Sequence, residues 1–151
     1  MELDALLSEA QDAVLDEAYT AVQRSHVAHY ELAGEALTRQ RLAELFTLVV
    51  DAIRTRHLAA LSAHVEAVAE DRFEHGFDVS EVQVAFNSLE EAMWRRVVSE
   101  VPADELAEAI GLLSTVLGFG KDTLARAYVS LASRRHVPTL DLSELFGGTS
   151  S

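Results

Sequence analysis

The chain has 151 residues, enough for one domain with a hydrophobic core. Its 25 acidic against 12 basic residues give a formal net charge of −13, which repels a phosphate backbone or an anionic membrane surface over most of the molecule. With no cysteine, disulfides and thiolate chemistry are excluded.

The apolar fraction is that of a folded protein, and there are only two prolines, Pro102 and Pro138, so long runs remain free for helices. Sustained β-alternation and Asn-Gly or Asp-Gly hairpin turns are both missing. The class is all-α. The N-terminus, MELDALLSEA, is acidic and lacks the basic-then-apolar order of a signal peptide. No apolar run approaches the ~20 residues that span a bilayer. A soluble, cytoplasmic protein is the expectation.

In chain order, Leu3, Leu6, Leu7, Ala10, Val14, Ala18 and Val22 recur at helical steps and predict one helix over residues 3–30. Its other face carries Glu2, Asp4, Glu9, Asp12, Asp16 and Glu17, either a solvated surface or a docking face for a basic partner. Gly34 breaks the pattern. A second helix follows over 35–54, with the apolar stripe Leu42, Leu45, Phe46, Val49, Val50 and Ile53. Residues 54–57 interrupt it as a bend or short loop. The third helix, 57–75, buries Leu58, Leu61, Val65, Val68 and Phe73.

The clearest local pattern comes next. Gly76 suits the left-handed position that ends a helix. Asp78 and Glu81 then stand three apart and fit a capping box, while Phe77 and Val82 flank them at the positions of a hydrophobic staple. With Arg72 before it, this stretch is the structural corner of the chain. The fourth helix covers 79–100, with Val82, Ala85, Phe86, Leu89, Met93 and Val97 on one face. Trp94 falls beside that face, half buried, and Arg95 and Arg96 face solvent.

Pro102 suits the first turn of a last long helix reaching about residue 135, where Asp104 and Glu105 favour the dipole. Gly118 and Gly120 inside it predict a kink or the close approach of another helix backbone. Pro138 ends it. Asp141 and Glu144, flanked by Leu140 and Leu145, repeat the capping pattern in a short amphipathic turn. Two segments are therefore expected: a helical domain over 1–136 and a C-terminal tail over 137–151.

Catalytic and cofactor chemistry find little support. His26 and His29, three apart on one side of a helix, lack further metal ligands on the same face. His57, His64 and His75 are candidates for a proximal haem ligand, but His75 is better explained as a helix C-terminal cation. The residues beside His57 and His64 do not make a phosphotransfer site. No nucleophile motif occurs, and no carboxylate pair stands out as an acid–base couple. A helix-turn-helix over 71–97 would open its recognition helix on Glu81 rather than on a basic residue. The expectation is no enzyme, no metal, no cofactor and no nucleic-acid or membrane partner.

As a whole the pattern is familiar. His29-Tyr30-Glu31, Arg41-Leu42-x-x-Leu45, Ala69-Glu70-Asp71-Arg72-Phe73-x-x-Gly76-Phe77-Asp78-Val79-x-x-Val82, Ala85-Phe86-x-x-Leu89 and Ala127-Tyr128 occur in that order. Together they resemble the N-terminal sensor domain of RsbR-type stressosome proteins, the RsbT co-antagonist family. The Arg-x-x-x-Gly-x-x-x-x-x-Val corner is the most telling part. The resemblance implies a globin-like bundle of about five to seven helices without haem, its pocket filled by side chains. It also implies a homodimer and a non-enzymatic sensory or regulatory role in stress signalling, exercised by protein–protein contact. Relatives usually continue from the last helix into an output domain; here Pro138 stops that helix, which suggests a stand-alone sensor or a shortened chain. Leu140, Leu142, Leu145, Phe146, Arg134 and Arg135 are the candidate partner or dimer surface. The acidic Glu2 to Glu17 face could meet Arg134 and Arg135 across a two-fold interface. The alternative reading is a globin-like sensor that binds haem or an apolar ligand such as a fatty acid between its helices.

Overall fold

A computed structural model describes residues 2–136. The expected C-terminal turn, with Leu140, Leu142, Leu145 and Phe146, lies outside the described residues, as does the side chain of Arg135. Seven helices make up the described part: α1 (Leu3–Glu9), α2 (Gln11–Arg24), α3 (Ala28–Ala33), α4 (Glu35–Thr55), α5 (Ala59–Glu74), α6 (Val79–Glu100) and α7 (Ala103–His136). There is no strand among these residues. The fold is an all-α bundle, consistent with a globin-like arrangement.

The bundle is built around three pairings: α2 along α6, α5 along α7, and α6 along α7. The stripe read from α4 is buried as expected, with Leu42, Phe46, Val49 and Ile53 almost wholly enclosed. They meet Leu7 and Val14 from the first two helices and Leu61, Leu89, Met93, Leu113, Leu117 and Leu124 from the last three, in one continuous core. Burial of each such side chain stabilises the fold by about 1.5–3 kcal/mol.

Two expectations are corrected. The single helix over residues 3–30 is three helices. The first break is at Ala10 (φ −93°, ψ 7°). The second is at residues 25–27, where His26 takes a positive φ of 53° and Ser25 Oγ donates to the carbonyl of Val22 at 2.5 Å. Neither break uses Gly or Pro, so the apolar periodicity runs through both without a mark. Histidine is among the non-glycine residues that tolerate this backbone region. The turn redirects α3, so that His29 and Tyr30 reach the α5–α6 corner instead of continuing along α2.

The second correction concerns the close approach expected at Gly118 and Gly120, which lie within the continuous span of α7. Nothing lies within 4 Å of where a Cβ on Gly118 would be. A Cβ on Gly120 would meet the ring of Phe86 at 3.0 Å. The close neighbour is therefore a side chain of α6, not a helix backbone.

Candidate functional site

The α5–α6 corner forms from local chemistry as its sequence predicts. Gly76 (φ 83°) takes the left-handed position. The N–H of Phe77 donates to the carbonyl of Arg72 at 2.9 Å and that of Gly76 to Phe73 at 3.2 Å, the paired bonds of a Schellman ending. Asp78 and Glu81 form the capping box, with the Asp78 N–H donating to Glu81 Oε1 at 2.8 Å. Phe77 and Val82 are both buried, as a staple requires.

Three other elements are bound to this corner. From α3, His29 Nδ1 contacts Glu81 Oε2 at 2.5 Å, and its ring stacks on Phe77 at a 4.2 Å centroid distance. Tyr30 donates its hydroxyl to the carbonyl of Glu81 at 2.9 Å and meets Phe77 edge-on. From α7, Tyr128 donates to the carbonyl of Phe77 at 3.0 Å and meets Phe73 edge-on. Arg72 is buried, pairs with Asp71 and places its guanidinium 5.8 Å from the Phe77 ring.

The electrostatics follow from these contacts. The bond from the Asp78 N–H, with that from His29, holds the Glu81 carboxyl below its usual range. Burial raises both tyrosines to about 12, against the lowering effect of Arg72 on each.

Beside the corner, between α3, α4, α5 and α6, is a cavity of about 50 Å³. Tyr30, Arg72 and Val82 belong to both features. Leu42, Leu45, Val65, Val68, Ala85 and Phe86 supply most of its apolar wall; Thr38, Arg41, Glu44 and His64 complete it. Burial depresses Arg41, and the charge of Arg72 acts in the same direction. His64 is also lowered by burial. Ligand pockets typically measure 300–1,000 Å³, so this space is far too small for a haem or a long-chain lipid.

The remaining candidates are dispersed. His26 and His29 do not share a helix face: His26 lies in the loop before α3, with Nδ1 3.5 Å from Glu31 Oε1, and His29 turns to Glu81. Among the described residues no group of three His, Asp or Glu side chains could hold a metal ion. His75 follows the last residue of α5, with Nδ1 2.7 Å from the carbonyl of Asp71, and His57 is exposed. Two members of the acidic face have partners in their own chain: Asp16 with Arg39 at 2.6 Å and Glu17 with Arg95 at 2.8 Å. Arg134 is exposed near the end of α7. Trp94, expected half buried, is 44% exposed, and Val98 one turn later is 41% exposed. Sequence reasoning missed Thr38 and Arg41 as cavity residues. Only the spacing of Thr38 and Arg41 with Leu42 and Leu45, which sets them beside the buried stripe, pointed to it.

A family-wide sequence profile, the RsbT co-antagonist protein rsbRD N-terminal domain, matches residues 4–137. The chain belongs to this family. The match spans α1 to α7 and includes the whole corner, so the resemblance carried by Arg72, Gly76 and Val82 is a true membership. The family is one of regulatory domains of stress signalling and is not a known enzyme class. No curated relative and no solved structure gave a significant match. No helix of the described residues is long and apolar enough to cross a membrane.

Proposed function

We propose that this chain is a non-enzymatic signal-input domain that dimerises and passes its state to a regulatory protein partner by surface contact. Residues 1–136 form the sensory domain and 137–151 a tail available for contact. Membership of the stress-signalling family carries this reading. The cavity between α3, α4, α5 and α6, at about 50 Å³, is too small for a haem, which supports the non-haem form over the haem-binding alternative. Two surfaces are candidates for contact. One is the expected set of Arg134, Arg135, Leu140, Leu142, Leu145 and Phe146. The other is the exposed Trp94 and Val98, one turn apart on α6; tryptophan is enriched at the energetic centres of interfaces. An interface between the acidic N-terminal face and Arg134 and Arg135 is weakened as an idea by the pairing of Asp16 and Glu17 within the chain. A cytoplasmic setting fits the family.

Sedimentation of the full chain tests the reading, with Trp94→Glu and the triple alanine variant of Leu142, Leu145 and Phe146 alongside. Loss of the dimer in one of the two, with the fold intact, assigns the surface. A wild-type chain that remains monomeric would overturn dimerisation.

A further inference from the structure

We propose that the cavity beside the α5–α6 corner is a binding site for a small monocarboxylate, of about acetate to propionate size. The starting point is Thr38. Its Oγ1 is buried without a hydrogen-bond partner, in a residue only 3% exposed. Other helical threonines of this chain behave differently. Thr20, Thr55, Thr115 and Thr123 each donate to the carbonyl four residues back, at 2.7–2.9 Å. The hydroxyl of Thr38 is not used in this way. A buried hydroxyl left unsatisfied is costly, and Thr38 lines this cavity as well as the open groove between α2, α3 and α4.

Arg41 and Arg72 line the same cavity. Arg72 is paired with Asp71. Arg41 forms no salt bridge among the described residues, although Asp71 and Glu44 act on it electrostatically. The two like charges act unfavourably on each other, and an anion between them would relieve that. Glu44 and Asp71 are the opposing charges nearby. Glu44 is exposed, Asp71 pairs with Arg72, and neither bonds the Thr38 hydroxyl. Carboxylates accept from hydroxyl and guanidinium donors together. The apolar lining of Leu42, Leu45, Val65, Val68, Val82 and Phe86 suits a short alkyl group.

Size sets the class. One water needs about 10–15 Å³ by this kind of volume measure, so a 50 Å³ cavity takes about three to five heavy atoms. That fits acetate or propionate and excludes a fatty acid. Tyr30 and Arg72 line the cavity and also hold the corner, so occupancy would stiffen the contact of α3 and α5 with α6. The site is read within one chain and stands apart from dimerisation.

The test is a titration of the isotope-labelled full chain with sodium propionate, followed by amide NMR shifts at constant ionic strength. Propionamide and sodium chloride are the neutral and ionic controls. Saturable shifts for residues of α4 and α5 are expected, with a dissociation constant on the order of millimolar for so small a ligand. Thr38→Val and Arg41→Gln should each weaken binding by about tenfold or more. Thermal unfolding checks that both variants fold, and Thr38→Val should be no less stable than wild type. Shifts that do not saturate would overturn the site and leave water as the cavity's occupant. Equal binding of propionamide, or undiminished binding by both folded variants, would overturn the carboxylate assignment.

Discussion

His29 and Glu81, 52 residues apart in the chain, meet through a 2.5 Å contact between Nδ1 and Oε2. Glu81 uses its other oxygen to accept from the Asp78 N–H. One carboxylate therefore caps α6 and ties it to α3. A carboxylate only accepts, so His29 Nδ1 is the donor.

Glu81→Ala should remove its half of the capping box and the α3 link together, costing about 1–2 kcal/mol by the usual scale of caps and charged hydrogen bonds. Glu81→Gln should cost less, because an amide oxygen still accepts. Chemical denaturation of the two variants measures this. Equal stabilities of wild type and Glu81→Ala would contradict the role given to the corner.

The same group sets an acid dependence. The folded-state pKa of Glu81 is depressed, so its contribution is present above the unfolded carboxyl value of about 4.3 and is lost as pH falls through the lowered folded value. Glu81→Gln should flatten the stability profile in that acid range. A profile of unchanged slope would refute it.

At the alkaline end, Tyr30 and Tyr128 are raised to about 12. Their contribution is fully present below the unfolded value of about 10 and is lost as pH rises toward about 12. Both hydroxyls donate to carbonyls of the corner, and a phenolate cannot. Tyr30→Phe and Tyr128→Phe should each cost about 1 kcal/mol at neutral pH and reduce the loss of stability between pH 10 and 12. Stability measured across that range decides it.

The two glycines of α7 should respond oppositely to alanine. Gly118 has open space around its Cβ position, so Gly118→Ala should stabilise by about 0.5–1 kcal/mol through helix propensity. Gly120→Ala places a methyl 3.0 Å from the ring of Phe86, which is itself buried at 3% exposure. Overpacking of about 1–3 kcal/mol should outweigh the propensity gain. Thermal unfolding of the pair checks the contrast.

The corner was legible in the sequence because every part of it is local: Gly76, Phe77, Asp78, Glu81 and Val82 act on their near neighbours. The α4 stripe was legible because burial follows helical period. The break at His26 was not, since a histidine with positive φ leaves no mark in apolar spacing. Gly120 was read as a helix crossing because the sequence does not say that Phe86, 34 residues earlier, fills the space. The cavity depends on tertiary placement throughout: Thr38, Arg41, His64 and Arg72 come together only when α4 and α5 pack. His26 and His29 were read on one side of a single helix; the turn between them gives His29 to Glu81 instead.

Sedimentation velocity of the full chain across a range of protein concentrations reads the proposed assembly state. A dimer, twice the 16.5 kDa chain, should persist on dilution to the low-micromolar range. A species of one chain's mass at every concentration would contradict a regulatory domain that works through dimerisation.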